Sequence, residues 1–163
     1  MKQQIIYRQI KSTEHFFLEE MLYEALFVPV GKPRFSKSIL NEPTIRKYIN
    51  NWNESNGDIA ILALHENELI GAIWGRKFQI ENKGYGYIDN EIPEISMAIK
   101  EKYRNKGIGT TLLHQIELKY IQSGVCKISL SVAKQNPARF LYERNGYKFY
   151  EENGTAITMI KKL

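Results

Sequence analysis

The chain has 163 residues, a length that fits one domain around one hydrophobic core, and we expect a single domain over residues 1–163. A hydrophobic fraction of 43% is ordinary for a folded protein and argues against disorder. The formal net charge of +5 suits an anionic ligand and suits nucleic acid equally well, so charge alone does not choose between them.

The sequence also indicates a cellular compartment. Cys126 is the only cysteine, so neither an intrachain disulfide nor a cysteine-rich zinc site can form. The first eight residues lack the apolar stretch of a signal peptide, and the longest apolar run, residues 59–64, is too short to cross a bilayer. We therefore expect a cytoplasmic protein that uses no membrane and no metal.

The N-terminal part of the chain predicts two helices after a short strand. Apolar residues recur at helical spacing in two stretches, and prolines with a glycine interrupt the pattern between them. Ser12 or Thr13 is placed to cap the first helix, because either hydroxyl can accept a hydrogen bond from the first turn. The predicted elements are a strand over residues 4–10, a helix to about residue 27, a loop over residues 28–40 and a helix from about residue 42 to residue 56.

The middle of the chain predicts a β-hairpin and then a long loop. An apolar strand over residues 59–65 and its partner over residues 69–78 are joined by a short polar link. Several glycine, aspartate and asparagine residues over residues 79–92 indicate a loop, which includes a short extended piece at residues 85–88.

A glycine-containing stretch, Arg104-Asn105-Lys106-Gly107-Ile108-Gly109-Thr110, connects a predicted strand over residues 94–99 to a predicted helix over residues 107–122. Glycines at a helix start expose backbone N–H groups to an anion, and the positive end of the helix dipole adds to the attraction. The P-loop pattern is absent, and Leu112 stands where the dinucleotide fingerprint requires its third glycine. A turn without a ligand is the alternative.

The C-terminal part predicts a strand, a helix and a hairpin. Residues 126–132 alternate between apolar and polar side chains, and this phase predicts that Cys126 is buried. Asn136 is predicted to cap the helix that follows, and the Asn153-Gly154 pair predicts the turn of the last hairpin. Because a helix links the strand at 94–99 to that at 126–132, the two strands are expected to lie parallel.

Two motifs resemble the GNAT superfamily of N-acetyltransferases. The stretch from Arg104 resembles its R/Q-x-x-G-x-G/A pattern for binding acyl-coenzyme A, although Glu101 stands where a proline is common. The run Asn136-Pro137-Ala138-Arg139-Phe140-Leu141-Tyr142-Glu143-Arg144-Asn145-Gly146-Tyr147 is similar to the family's Asn-x-x-Ala-x-x-x-Tyr-Glu-x-x-Gly-Phe run, although Ala138 follows Asn136 by only two residues. The close resemblance covers residues 94–147, and the element order extends it to the rest of the chain.

The resemblance implies an α/β (mixed α+β) fold. Its central twisted sheet is mostly antiparallel, contains one splayed parallel strand pair and is flanked by about four helices. Acetyl-coenzyme A is implied as the cosubstrate, with its pantetheine arm between the splayed strands and its pyrophosphate on the glycine stretch. The residues implied to bind it are Met97, Ala98, Ile99, Arg104, Asn105, Lys106, Gly107, Ile108, Gly109, Thr110, Asn136, Arg139 and Tyr142.

The resemblance also implies two catalytic residues. Tyr142 matches the family tyrosine whose hydroxyl faces the coenzyme sulfur, where it can assist a leaving thiolate. Glu94 is the candidate general base, acting directly or through water, although a surface carboxylate at a strand end is an equal alternative. Some family members use no dedicated base. The position of Cys126 on the apolar face makes it an improbable nucleophile.

Negative charge and aromatic rings concentrate in the predicted long loop. Such an entrance suits a cationic amine, and a solvated loop is the alternative. The residues assigned to acceptor binding on this basis are Tyr85, Tyr87, Asp89 and Glu91.

The implied activity is direct transfer of an acetyl group from acetyl-coenzyme A to a primary amine of a small molecule, peptide or protein, through a ternary complex. A non-catalytic acyl-coenzyme A sensor on the same fold is the alternative. A nucleic-acid binder is supported only by the charge, and no nucleic-acid motif accompanies it. The identity of the amine stays open, as does the choice between a monomer and the homodimer that is common in the family.

Overall fold

The computed structural model describes residues 4–163. Residues 1–3, which belong to the N-terminal segment considered above as a possible signal peptide, lie outside the described residues. One seven-stranded sheet forms in the order β1-β2-β3-β4-β5-β7-β6. Its strands are β1 (Ile6–Gln9), β2 (Ile59–His65), β3 (Glu68–Arg76), β4 (Glu94–Ile99), β5 (Lys127–Ala133), β6 (Lys148–Asn153) and β7 (Ala156–Lys162). The α-helices are α1 (Phe16–Ala25), α2 (Pro43–Arg46), α3 (Ile108–Gln122) and α4 (Ala138–Arg144).

The predicted parallel pair is β4 and β5, while every other neighbouring pair is antiparallel. Within residues 4–163, the register between β4 and β5 is a single pair, Glu94 opposite Ser129. There the Ser129 N–H donates to the carbonyl oxygen of Pro93 over 2.9 Å. Beyond this point β4 stays paired with β3 and β5 with β7, so a gap opens between them. The fold class is confirmed.

Each face of the sheet carries a hydrophobic core. The alternation of β4 and β5 directs Ile95, Ile128 and Leu130 to the face covered by α3. The other face packs against α1 and includes Ala98, Trp74 and Tyr48. Glu94 and Ser129 therefore lie on the α1 face, whereas the N-terminus of α3 lies on the opposite face.

The predicted hairpin is present, and its turn consists of two residues. Glu66 and Asn67 have φ values of 49° and 69°, so both occupy the left-handed region. A two-residue turn of this kind matches the twist of the flanking strands. Within the described residues, no helix has both the length and the apolar composition required to span a membrane.

The predicted second helix was too long, because α2 ends at Arg46. The Arg76 guanidinium on β3 donates through one nitrogen to the carbonyl oxygens of Lys47 and Asn50, each over 2.7 Å. Asn51 then adopts φ 50°. These contacts come from a residue far along the chain, so helical periodicity could not reveal them.

Three smaller expectations were also wrong. Neither Ser12 nor Thr13 caps α1, which follows a 3₁₀ turn where Glu14 accepts a hydrogen bond from the Lys11 N–H over 2.9 Å. Residues 85–88 form no strand. Cys126 is exposed, because β5 begins one residue after it and the alternation does not extend back to it.

Candidate functional site

The glycine stretch forms an open helix N-terminus. Gly107 precedes α3 with φ 78°, a left-handed conformation that favours glycine, and Asn105 has φ 59°. The Thr111 N–H donates to the carbonyl oxygen of Gly107 over 3.2 Å as the first hydrogen bond of the helix. The N–H groups of the three residues between them, Ile108, Gly109 and Thr110, thus have no acceptor within α3 and suit an anion.

Main-chain groups of β4 point into the gap between the splayed strands. The Lys100 N–H donates to the carbonyl oxygen of Ile70 over 2.9 Å, which sets the alternation of hydrogen bonds along β4. By that alternation, the N–H and C=O groups of Met97 and Ile99 point away from β3 and towards β5. Ala98 is buried against α1 instead.

Gly109 brings α3 into close contact with α4 and β4. A Cβ atom at Gly109 would lie 2.9 Å from Leu141 Cδ2 and 3.4 Å from Met97 Cε. A Cβ atom at Gly107 would meet nothing within 4 Å. Steric crowding of the turn therefore applies to Gly109, while Gly107 is required by its backbone conformation.

Four cationic side chains lie in or just before the glycine stretch: Lys100, Lys102, Arg104 and Lys106. Three of them already contact other groups of the protein. Lys100 and Lys102 contact Glu68 at 3.3 and 3.2 Å. Arg104 donates to the carbonyl oxygen of Ile99 over 2.9 Å. Its guanidinium also lies 3.4 Å from Glu24.

Lys106 makes no ion pair with any of residues 4–163, and its Nζ lies 5.4 Å from the centroid of the Tyr103 ring. Arg139 forms an ion pair with Glu143 at 2.7 Å, one turn further along α4. Lys106 is thus the cation of this region most readily available to a phosphate.

The second motif begins α4 at Asn136, as the sequence predicted, and places Tyr142 in the core. Asn136 Oδ1 accepts a hydrogen bond from the Ala138 N–H over 2.9 Å, which fixes the start of α4. Tyr142 is buried in the core that contacts α3, with its ring edge-on to Tyr147 at a centroid distance of 5.8 Å. Burial raises the pKa of Tyr142 to about 12, so its hydroxyl keeps its proton at neutral pH.

Glu94 is buried rather than on the surface, with 4% of its area exposed. Its Oε1 accepts a hydrogen bond from the Tyr48 hydroxyl over 2.8 Å, and Oε2 has no hydrogen-bond partner among residues 4–163. Burial raises the pKa of Glu94 to about 7, although the hydrogen bond from Tyr48 opposes this. A carboxyl group that titrates near neutral pH is suited to accept a proton from an amine.

The sequence reasoning missed Tyr48, whose apolar neighbours placed it in a helix core. Its hydroxyl also accepts a hydrogen bond from the Tyr85 N–H over 2.6 Å. The signal available in the sequence was a hydroxyl-bearing ring among the apolar positions of a short helix, which indicates packing as readily as function.

A cleft of about 520 Å³ is lined in part by the turn at Gly84 and Tyr85, and this turn separates it from Glu94. Tyr85 and Tyr87 line it, together with Tyr150 and Glu151 of β6. Its lining also includes Lys83, so the cleft is aromatic with charges of both signs. The full lining is Lys83, Gly84, Tyr85, Tyr87, Ile88, Tyr150, Glu151 and Asn153.

Asp89 and Glu91 lie outside the lining of this cleft. Asp89 Oδ1 accepts a hydrogen bond from the Glu91 N–H over 2.8 Å, and the Glu91 carboxylate pairs with Lys77 at 2.5 Å. Their assignment to acceptor binding stays a prediction.

A split sheet with a helix N-terminus at its opening defines an acyltransferase fold of the kind that the motifs indicated. The sequence profile of the family described as "Acetyltransferase (GNAT) family" matches residues 20–147, more than half of the chain. The chain therefore belongs to the GNAT family of acetyltransferases.

Two curated relatives illustrate the similarity. An uncharacterised N-acetyltransferase of Methanocaldococcus jannaschii is 38% identical over 104 residues, which span 58% of this chain and 63% of that protein, less than two thirds of its length. A spermidine N(1)-acetyltransferase of Thermoplasma acidophilum is 30% identical over 133 residues, covering 80% of this chain and 73% of that protein.

Solved structures share the fold across nearly the whole chain. The PaiA N-acetyltransferase of Thermoplasma acidophilum, in complex with coenzyme A, superposes with a TM-score of 0.66 at 23% identity and covers 98% of this chain and 99% of its own. A phosphinothricin acetyltransferase of Sinorhizobium meliloti, in complex with acetyl-coenzyme A, gives a TM-score of 0.68 at 17% identity, with 98% and 88% covered.

Proposed function

We propose that this protein transfers an acetyl group from acetyl-coenzyme A directly to a primary amine. The observation that carries the proposal is the position of Glu94. This buried carboxyl group, with a pKa near 7, stands at the point where β4 and β5 separate. A proton acceptor there lies between the gap that suits the pantetheine arm and the turn that lines the cleft.

The coenzyme fits three features of this chain. The free N–H groups at the start of α3 suit its pyrophosphate, with Lys106 as an added positive charge. The main-chain groups of Met97 and Ile99 suit its pantetheine amides and the thioester carbonyl, in the manner of strand addition. Asn136 follows β5 at the start of α4, and we propose that its side-chain amide also contacts the pantetheine arm.

Acetyl-coenzyme A supplies an activated thioester. In the proposed reaction a C–N bond forms between the acceptor and the acetyl carbonyl carbon, and the C–S bond breaks. Glu94 accepts the amine proton, directly or through water. Tyr142 donates a hydrogen bond to the sulfur, which departs with the electron pair.

The acceptor is proposed to enter through the cleft lined by Tyr85 and Tyr87. Aromatic rings can hold a cationic amine by cation–π contact, and the Glu151 carboxylate adds an attractive charge. The similarity to a spermidine N(1)-acetyltransferase supports a flexible amine as one acceptor class. A second candidate function, an acyl-coenzyme A sensor, would use the same gap but would not need a buried proton acceptor beside it.

Coenzyme binding gives the first test. Acetyl-coenzyme A at about 100 times its Kd should raise the melting temperature by about 5–10 °C, since it binds only the folded state. Gly107→Val should abolish that shift, because a β-branched residue disfavours the left-handed conformation of Gly107, and a change in this turn would move the free N–H groups of α3. Differential scanning fluorimetry with and without the ligand measures both effects.

Gly124→Val is a matched control. Gly124 follows the other end of α3 with φ 79°, and a Cβ atom there would also meet nothing within 4 Å. Both substitutions impose similar backbone strain, so both unliganded melting temperatures should fall, but only the Gly124 variant should keep the ligand-induced shift. A full shift in folded Gly107→Val protein would overturn the placement of the pyrophosphate.

A further inference from the structure

Tyr48 joins two parts of the proposed acceptor side through one hydroxyl group. That hydroxyl donates to Glu94 Oε1 over 2.8 Å and accepts from the Tyr85 N–H over 2.6 Å. Glu94 belongs to the central sheet, whereas Tyr85 belongs to the turn that lines the cleft. A single side chain thus fixes the candidate base relative to the candidate acceptor site.

The Tyr48 ring is held from both sides, so the hydroxyl has little freedom to move. Tyr48 is 6% exposed. Its ring packs edge-on to Phe78 at a centroid distance of 5.0 Å and stacks on the Tyr85 ring at 6.3 Å with an interplanar angle of 9°. Burial and the nearby Glu94 charge raise the pKa of Tyr48 well above its usual value, so it stays a hydrogen-bond donor.

The turn that contains Tyr85 also covers the other carboxylate oxygen. A Cβ atom at Gly84 would lie 2.0 Å from Glu94 Oε2 and 2.8 Å from the Phe78 ring, so only glycine fits there. At Gly86 a Cβ atom would lie 2.6 Å from the main chain of Leu130 on β5. The turn therefore lies directly over Glu94 and β5, and its position decides what reaches Oε2.

We propose that Tyr48 is a positioning residue for acetyl transfer, holding the Glu94 carboxylate and the 84–86 turn in one arrangement. The inference rests on the proposed role of Glu94 as the base. The hydrogen bond to Oε1 favours the ionised carboxylate and leaves Oε2 as the oxygen that accepts the proton. The bond from the Tyr85 N–H holds the cleft lining above it.

Other groups around Glu94 influence it less directly. Lys47, next to Tyr48, lowers the pKa of Glu94 through its charge, while its ammonium donates to the carbonyl oxygen of Lys83. Arg76, opposite Glu94 on β3, pairs with Asp58 at 2.6 Å. Ser129, opposite on β5, is uncharged. The main chain of Gly86, in the turn over Glu94, also lowers the pKa of Glu94. Tyr48 is thus the side chain that hydrogen-bonds Glu94 directly and can be changed without altering net charge.

Tyr48→Phe tests the proposal because it removes the hydroxyl and keeps the packed ring. In ¹³C-carboxyl NMR titration of the free protein, the Glu94 signal should titrate about one pH unit higher than in wild type. The Glu94→Gln variant identifies that signal. The Tyr85 amide should exchange with solvent faster in the Tyr48 variant, since it loses its acceptor.

Kinetics give a second readout. At pH 7, kcat/KM of Tyr48→Phe should fall about fivefold, because a pKa one unit higher leaves about a tenth of Glu94 ionised instead of half. The rate should recover by pH 9, where Glu94 is ionised in both the wild-type and the variant protein. Tyr120→Phe removes a buried hydroxyl from a residue of α3 in the other core. This control variant should leave the Glu94 titration and the pH profile unchanged.

The roles of Tyr48 and Glu94 are tested separately. An unchanged Glu94 titration in folded Tyr48→Phe protein would overturn the role of Tyr48. A shifted Glu94 titration with an unchanged pH–rate profile would show that Tyr48 affects the ionisation of Glu94 and would overturn Glu94 as the base. A rate loss as large at pH 9 as at pH 7, as a purely structural role would give, would also overturn the proposal.

Discussion

Replacing Tyr142 with phenylalanine is expected to lower kcat by about 10²–10³-fold, the usual effect of removing one donor that stabilises a developing negative charge. The pKa of Tyr142, raised to about 12 by burial, exceeds the value of about 8.5 for an ordinary thiol. Complete proton transfer to the leaving thiolate is therefore uphill, and the hydroxyl acts chiefly as a hydrogen-bond donor. Steady-state kinetics with saturating acetyl-coenzyme A measures the effect.

Packing should survive this change, because the ring and its edge-on contact with Tyr147 remain. Coenzyme affinity should also change little, since a thioester sulfur accepts hydrogen bonds poorly. Tyr120→Phe serves again as the control from the same core. An unchanged kcat with chemistry rate-limiting would show that the thiolate needs no donor from Tyr142, and lost coenzyme affinity with normal kcat would make it a binding residue.

Replacing Glu94 with glutamine should lower kcat/KM by about 10²–10³-fold at pH 8, within the usual range for a general base. Wild-type activity should rise with pH through about 7, because the carboxylate accepts a proton only when ionised. The variant should lack that rise. Gln keeps an oxygen that can accept the Tyr48 hydrogen bond, so local structure should persist.

The same substitution should alter how stability depends on pH. Glu94 has a pKa of about 7 in the folded protein against 4.5 for the free group, so the folded state binds the extra proton between these values. Wild type should therefore lose about 3 kcal/mol of stability relative to Glu94→Gln as pH rises from 4.5 to 7. Urea unfolding at several pH values measures this.

Glu19→Gln, a change on the surface of α1, is the control for both Glu94 experiments, because Glu19 forms only an exposed pair with Arg46. An acidic limb near pH 7 that persists in Glu94→Gln would assign that limb to another group. Full activity of the variant would show that the acceptor arrives already deprotonated.

Local signals in the sequence were enough to predict the fold around the gap between β4 and β5. The strand from Glu94, the glycine stretch and α3 follow one another along the chain, and each carries its own periodicity or turn signal. Asn136 and Tyr142 likewise lie close together along the chain, one before the start of α4 and the other within it. Their mutual arrangement depends on few distant contacts, so the fold around the gap could be predicted.

The cleft and the surroundings of Glu94 could not be predicted in the same way, because they are assembled from distant parts of the chain. Arg76 ends α2 early, and Tyr48 then reaches Glu94 and Tyr85. Glu151 enters the cleft from the last hairpin. None of these contacts has a periodic signature, since each depends on tertiary packing rather than on neighbouring residues.

Amine-dependent release of free thiol from acetyl-coenzyme A, with the acetylated product identified by mass spectrometry, tests the proposed activity most directly. A panel of polyamines, amino acids and peptides should contain at least one primary amine that is acetylated, and Cys126→Ser protein should be equally active because transfer is direct. Protein that is stabilised by acetyl-coenzyme A yet acetylates no amine would contradict the account and establish the sensor instead.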